Sequence, residues 1–222
     1  WPGHPPGWLD VWGHEAFPRD DARLGTVADR IARSGAIMTP TLFYWDFARL
    51  IRNPAPLPAE SVLIPPRNLA WLRAMPGHRI DPIAAAVWDR ALERVMAFTS
   101  LLLQRGVPVL PGTDEPWGIL PPGLSLWREL MLLVECGMTP VAALRVATAG
   151  AAARLRLSDR GRLLPGYAAD LVLVTGDPAE TMTDRPDVAA VVRDGKVFRP
   201  EALRRESEAY AACMEGEPMG VA

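Results

Sequence analysis

Gly106-Val-Pro-Val-Leu-Pro-Gly-Thr-Asp114 carries the pattern from which the rest of the chain is read. Val107 to Leu110 are apolar and form a run short enough for a buried strand. Pro111-Gly112 end it, because proline removes a ladder donor and glycine permits a sharp turn. Asp114 is then left in the loop just past the strand's carboxyl end. Immediately upstream, Ile83, Val87, Ala91, Val95, Phe98 and Leu102 recur along one helical face that stops at Gly106. The same order appears once before. Leu24, Val27, Ala28 and Ile31 form a helical face over 20–34, Gly35 stops it, and Ala36-Ile-Met-Thr39 reads as a strand closed by Pro40. Two helix-glycine-strand units in succession argue for parallel strands joined by helical crossovers, in a β/α barrel or an open sheet. Polar groups beyond the carboxyl ends of such strands face a common mouth, so Asp114 is the first candidate site residue.

Between the two units lies a stretch of about forty residues, Leu42 to Asp81, rich in proline and tryptophan. It is far longer than a usual strand-to-helix connection and reads as an insertion, either a lid over the mouth or a simple surface insertion. Before the first unit, Leu9 to Trp12 reads as a short strand delivering His14 to a loop. After Asp114 a helix is expected over Leu126 to Cys136, stopped at Gly137, and Thr139-Pro140 opens another with Thr139 as N-cap. Thr148 reads as the cap of a further short helix through Leu155. From Ser158 the period changes: Asp170 to Val174, Val188 to Val192 and Lys196 to Phe198 read as short strands, with Asp194-Gly195 as a tight hairpin turn. Glu201 to Glu215 reads as a closing polar helix. The expected division is an α/β part over 1–157, with the insertion at about 42–81, a β module over 158–200, and a helix and tail over 201–222.

The 222 residues, 49% of them hydrophobic, are enough to bury a sizeable core. Twenty-four basic residues against 26 acidic leave a formal charge of -2, which gives no electrostatic footprint for nucleic acid or an anionic membrane and favours a small-molecule substrate. No apolar run is long enough for a membrane span. Cys136 and Cys213 stand far apart in predicted helices, without metal-ligand spacing, and read as buried or idle thiols. The chain begins with Trp1 rather than methionine, which reads as a processed product or a fragment. A leader upstream would be invisible in it, and a cytoplasmic location is the one favoured.

Laid in order, the motifs are Gly106 to Asp114, Leu126-Trp-Arg-Glu-Leu130, Gly137-Met-Thr-Pro140, Ala143-Leu-Arg-Val-Ala-Thr148, Gly161-Arg-Leu-Leu-Pro-Gly166, Ala169-Asp-Leu-Val-Leu-Val174 and Asp194-Gly195-Lys-Val. This series resembles the C-terminal portion of the metal-dependent amidohydrolase superfamily, especially its imidazolonepropionase-like and prolidase-like members. The resemblance implies an α/β fold: a partial TIM-like (β/α) barrel, about strands six to eight with their helices, plus part of a small β-sandwich domain. Gly106 to Asp114 is similar to the eighth strand, Gly35 to Leu42 to the seventh, and Gly13-His14-Glu15 to the sixth.

The resemblance also implies a site. Asp114 would be a metal ligand and the catalytic proton acceptor, and His14 a metal ligand or a substrate-facing group. The cofactor would be a divalent metal, zinc in most members. The reaction would be hydrolysis of a carbon-nitrogen bond in a non-peptide amide, a cyclic amide or a dipeptide. The family's His-x-His pair is absent here; Gly3-His4-Pro5 faintly resembles the fifth-strand histidine, although the nine residues between His4 and His14 are too few for a crossover helix, and His78 matches no family ligand. A catalytic zinc takes three protein ligands and keeps one position for water. His14 and Asp114 supply two, so activity is expected of a full-length protein, with a missing N-terminal half or a homo-oligomer as partner. A second reading is a catalytically inactive remnant or partner-binding half-barrel. Thr113, Glu115 and Trp117 flank the site, and Glu129, on a predicted helix, reads as a surface or loop-anchoring group.

Overall fold

The computed structural model describes residues 22–50, 82–115, 123–180, 182 and 187–213. Helices α1 (Ala22–Ser34), α2 (Leu42–Leu50) and α3 (Pro82–Gln104) come first. The extended segments after α1 and α3 pair in parallel, Met38 opposite Val109. The Met38 N–H donates to the Pro108 carbonyl at 2.9 Å, and the Met38 carbonyl accepts from the Leu110 N–H at 2.9 Å. The repeated helix-glycine-strand unit thus appears as two neighbouring extended segments, each entered from its own helix, joined by a single parallel bridge rather than by full strands.

The glycine stops have a local cause. Gly106 adopts φ 70°, its N–H donates to Leu103 and the Val107 N–H donates to Leu102, which satisfies carbonyls that the end of α3 would otherwise leave unpaired. Gly35 takes the same left-handed conformation after α1. Ala28, Leu102 and Val107 are buried together, with Ile31, Phe98 and Met38 packed on them, and so tie both helices to the strand pair. Val27 departs from the expected face: it is 43% exposed, because it lies a residue off the stripe centred on Ala28.

The stretch read as an insertion begins otherwise than expected. Leu42–Leu50 is a helix, not a loop, and Leu42, Phe43, Trp45 and Phe47 are buried. Apolar and aromatic side chains on this short helix supply the larger core, which gathers Leu42, Trp45, Trp88, Leu92, Val109, Leu130 and Leu133. Tyr44, Trp45 and Trp88 meet there as a tilted aromatic group. Residues 51–81 of the stretch, and with them His78, lie outside the described residues.

Helix α4 (Leu124–Glu135) follows the Asp114 loop, and Gly137 (φ 109°) closes it. Helix α5 (Pro140–Arg145) opens with the Thr139 side chain accepting from the Ala142 N–H at 3.2 Å, as the Thr-Pro signal predicts. Thr148 is no cap: it lies within a wider π-helical turn, Val146–Gly150, that leads into α6 (Ala151–Arg154), and its hydroxyl donates back to the Leu144 carbonyl at 2.8 Å. A threonine following a formed turn finds that carbonyl nearer than any free N–H ahead. Strands β1 (Leu171–Thr175), β2 (Asp187–Arg193) and β3 (Lys196–Phe198) form one antiparallel sheet in that order, with a bulge at Leu173/Val174. Asp194 and Gly195 both take positive φ, the geometry of a two-residue hairpin turn. The second sheet of a sandwich is not among the described residues. Helix α7 (Pro200–Cys213) ends the described chain.

Candidate functional site

The parallel strand pair places two turns side by side at its carboxyl end. One runs from Thr39 to Thr41 into α2; the other runs from Pro111 to Asp114. They touch: a Cβ added at Gly112 would overlap the Thr39 side-chain methyl, so the absence of a side chain at 112 is what lets the turns close on each other. Thr41 (φ 49°) and Asp114 (φ 44°) are both left-handed without being glycine. That conformation costs an L-residue roughly 1–2 kcal/mol, and non-glycine residues held in it concentrate at functional sites. Asp114 is exposed.

A third element, α4, holds the first turn from behind. Glu129 is fully buried, and its Oε2 accepts from the Phe43 N–H at 2.6 Å. It thereby caps the N-terminus of α2, whose first N–H groups have no partner within the helix. A carboxylate there also meets the positive end of the helix dipole. Burial pushes the Glu129 carboxyl up to about 7, against the pull of the Phe43 and Leu42 N–H groups in the other direction. Its Oε1 has no hydrogen-bond partner among the described residues.

The neighbouring residue works on the same helix. Arg128 Nε donates to Asp46 Oδ2 at 2.7 Å and Nη1 donates to Glu135 Oε1 at 2.9 Å, with Asp46 buried. Burial by itself would lower the guanidinium pKa, but the hydrogen bond and charge of Asp46, aided by Glu135, outweigh it and leave it raised. Cys136 is buried and free, and burial raises its thiol to about 11, which leaves it protonated and inert at neutral pH. Cys213 is free and exposed.

The expectation for Glu129 is half met. It is no surface group, but it does anchor the segment that follows a strand. Asp46 and Arg128 were missed altogether. A signal for Glu129 exists: it falls one helical turn from the buried Ser125 and one from the buried Leu133, on the apolar side of α4. Of the site residues expected from sequence, Asp114 lies in the turn that follows the Val109 bridge, whereas His14, His4 and Trp117 lie outside the described residues. Among the described residues no three His, Cys, Asp or Glu side chains converge as a metal site, so these residues alone do not fit a metal centre. No helix among them is long and apolar enough to cross a membrane.

Residues 15–198 match the family model described as "Amidohydrolase family". An imidazolonepropionase of Streptomyces griseus is 38% identical over 103 residues, 43% of this chain and 25% of the relative. One from Streptomyces coelicolor is 47% identical over 95 residues, 40% of this chain and 23% of the relative. An adenine deaminase of Lysinibacillus sphaericus is 46% identical over 58 residues, 26% of this chain and 10% of that protein. Among solved structures, a Xaa-Pro dipeptidase with bound methionine in its active site superposes with a TM-score of 0.54 at 22% identity, over 78% of this chain and 37% of that one. An amidohydrolase superposes at 0.52 and 20% identity, over 78% and 37%. These likenesses show the fold. The chain spans about a quarter of the imidazolonepropionases it matches, 25% and 23%.

Proposed function

The chain belongs to the amidohydrolase family, and from this we propose that the protein of which it forms part hydrolyses a carbon-nitrogen bond in a small molecule, with Asp114 as the proton-transfer residue. The substrate class we propose is a cyclic amide, a non-peptide amide or a dipeptide; an imidazolonepropionase and an adenine deaminase among the similar proteins support hydrolysis of a carbon-nitrogen bond. The observation that carries the reading is the position of Asp114: exposed, in a left-handed turn, just beyond the carboxyl end of a parallel strand, where folds of this kind gather their chemistry.

In this reading the Asp114 carboxylate takes a proton from the attacking water and returns it to the departing nitrogen, first base and then acid. Asp114 is exposed, and the turn that carries it abuts the Thr39–Thr41 turn at Gly112. We assign a metal role to Asp114 together with His14, with zinc as the ion. The described residues do not complete such a centre, so the further ligands would come from outside them.

The test uses the protein extended upstream through its reading frame. Asp114→Asn keeps the shape and hydrogen-bonding reach of the side chain while removing its basicity. It should lower kcat on a hydrolysed amide by about 10²–10⁴-fold with folding unchanged by circular dichroism. His14→Ala should lower bound zinc, measured by elemental analysis. Full activity in the asparagine variant would overturn the assignment of Asp114.

A further inference from the structure

Glu129 is wholly buried, its Oε2 is committed to the first turn of α2, and its Oε1 meets no donor among the described residues. A buried oxygen left without a partner is destabilising, since it gives up its bond to water and gains none in return. A mere bridge between two helices does not require a carboxyl. What Glu129 holds leads to the mouth. Phe43 N–H belongs to the turn that begins at Thr41, whose own carbonyl accepts from the Tyr44 N–H at 3.1 Å. Thr41 is left-handed, Thr39 lies against Gly112, and Gly112 is two residues from the left-handed Asp114.

We propose that Glu129 is a positioning residue for Asp114: its carboxylate fixes the first turn of α2 and, through the contact of Thr39 with Gly112, the Pro111–Asp114 turn, so that the placement of Asp114 follows the charge on Glu129. The assignment rests on the reading of Asp114 as the proton-transfer group, but the coupling belongs to this chain and is observable without turnover.

Other charged groups line the same seam. On α2 the seam presents Asp46, held by Arg128 of α4, and Arg128 also reaches Glu135. Cys136, which caps the end of α4, faces the neutral Ser100 of α3 and stays protonated near neutrality. The carboxyl of Glu129 is raised by burial to about 7 and so changes charge near neutrality.

The experiment is an NMR titration of the 222-residue chain, labelled with ¹⁵N and with ¹³C at glutamate, from about pH 5 to about pH 9 to bracket the window of a raised carboxyl. The expected result is one midpoint near 7 shared by the Glu129 Cδ and by the amides of Phe43, Thr39, Gly112 and Asp114. In Glu129→Gln those amides should lose the titration, while the Phe43 amide stays hydrogen-bonded to the introduced side-chain carbonyl oxygen. Histidines titrate in a similar range, so amide shifts that persist unchanged in Glu129→Gln overturn the proposal. So does a Glu129 Cδ that titrates together with Phe43 while Gly112 and Asp114 stay still, or one that does not titrate near neutrality. If the variant does not fold, the shared or separate midpoints of the wild-type Cδ and amides decide by themselves. Absent coupling alongside a large kcat loss in Asp114→Asn would sink this inference and leave the proton-transfer reading standing. Coupling without any such loss would do the reverse.

Discussion

Glu129 makes the folding stability of this chain depend on pH in a direction opposite to that of an ordinary paired carboxylate. A free glutamate titrates at 4.5, and in the fold burial holds this one at about 7. Below the lower value both folded and unfolded chains carry the proton. Between the two the unfolded chain has released it and the folded chain has not, so stability falls as pH rises; above the upper value the loss is complete. At about 1.4 kcal/mol for each pH interval between the two values, the loss is about 3 kcal/mol. The amide introduced by Glu129→Gln keeps the shape and the acceptor for Phe43 N–H but does not titrate. Once buried, it adds an offset that is the same at every pH. The variant should therefore gain about 3 kcal/mol on the wild type between about pH 4 and about pH 8, even though it loses a charged cap. The assay is urea unfolding of both chains at several pH values, comparing midpoints at unchanged m. Other titrating groups are common to both and cancel in the difference. A difference that stays flat with pH would refute the burial argument, and one of opposite slope would show that the N–H groups of α2 outweigh desolvation. A cost of this size at neutral pH is the kind of stability a protein gives up where a group has a task beyond packing.

Two further perturbations probe the same corner of the fold. Gly112→Ala drives a methyl into Thr39, so it should cost about 1–3 kcal/mol, read as a lower urea midpoint, and a neutral effect would mean that the two turns are not in contact. Asp46→Ala removes the buried partner of Arg128 and should cost about 1–3 kcal/mol, whereas Glu135→Ala, at the exposed end of the same guanidinium, should cost under about 1 kcal/mol; equal losses at the two positions would contradict the burial difference between them.

Much of the architecture was legible locally because its causes are local. Gly35, Gly106 and Gly137 end helices by taking a backbone conformation that side chains resist, and Thr139-Pro140 starts one by supplying an acceptor and a preset φ. The hairpin at Asp194-Gly195 has the same local character. Leu42–Leu50 was misread because proline and tryptophan dominate the long stretch that it opens, and the helical face of nine residues is short beside it. Thr148 was misread because a threonine hydroxyl serves equally as a cap ahead or a bond to the turn behind, and only the formed helix decides.

The sequence alone determined the two helix-glycine-strand units, the place of Asp114 after the second strand, the three-stranded sheet and the family resemblance that the match over 15–198 bears out. Each of these follows from neighbours within a few residues or from the order of motifs along the chain. The tertiary structure decided that Glu129 caps a helix 86 positions away, that Arg128 pairs with Asp46 at a separation of 82, and that Gly112 makes room for Thr39. Those contacts depend on how α2 and α4 cross and on how closely two turns approach. No periodicity encodes such distances, because a buried carboxyl and a surface one occupy the same letter until the opposing helix is in place.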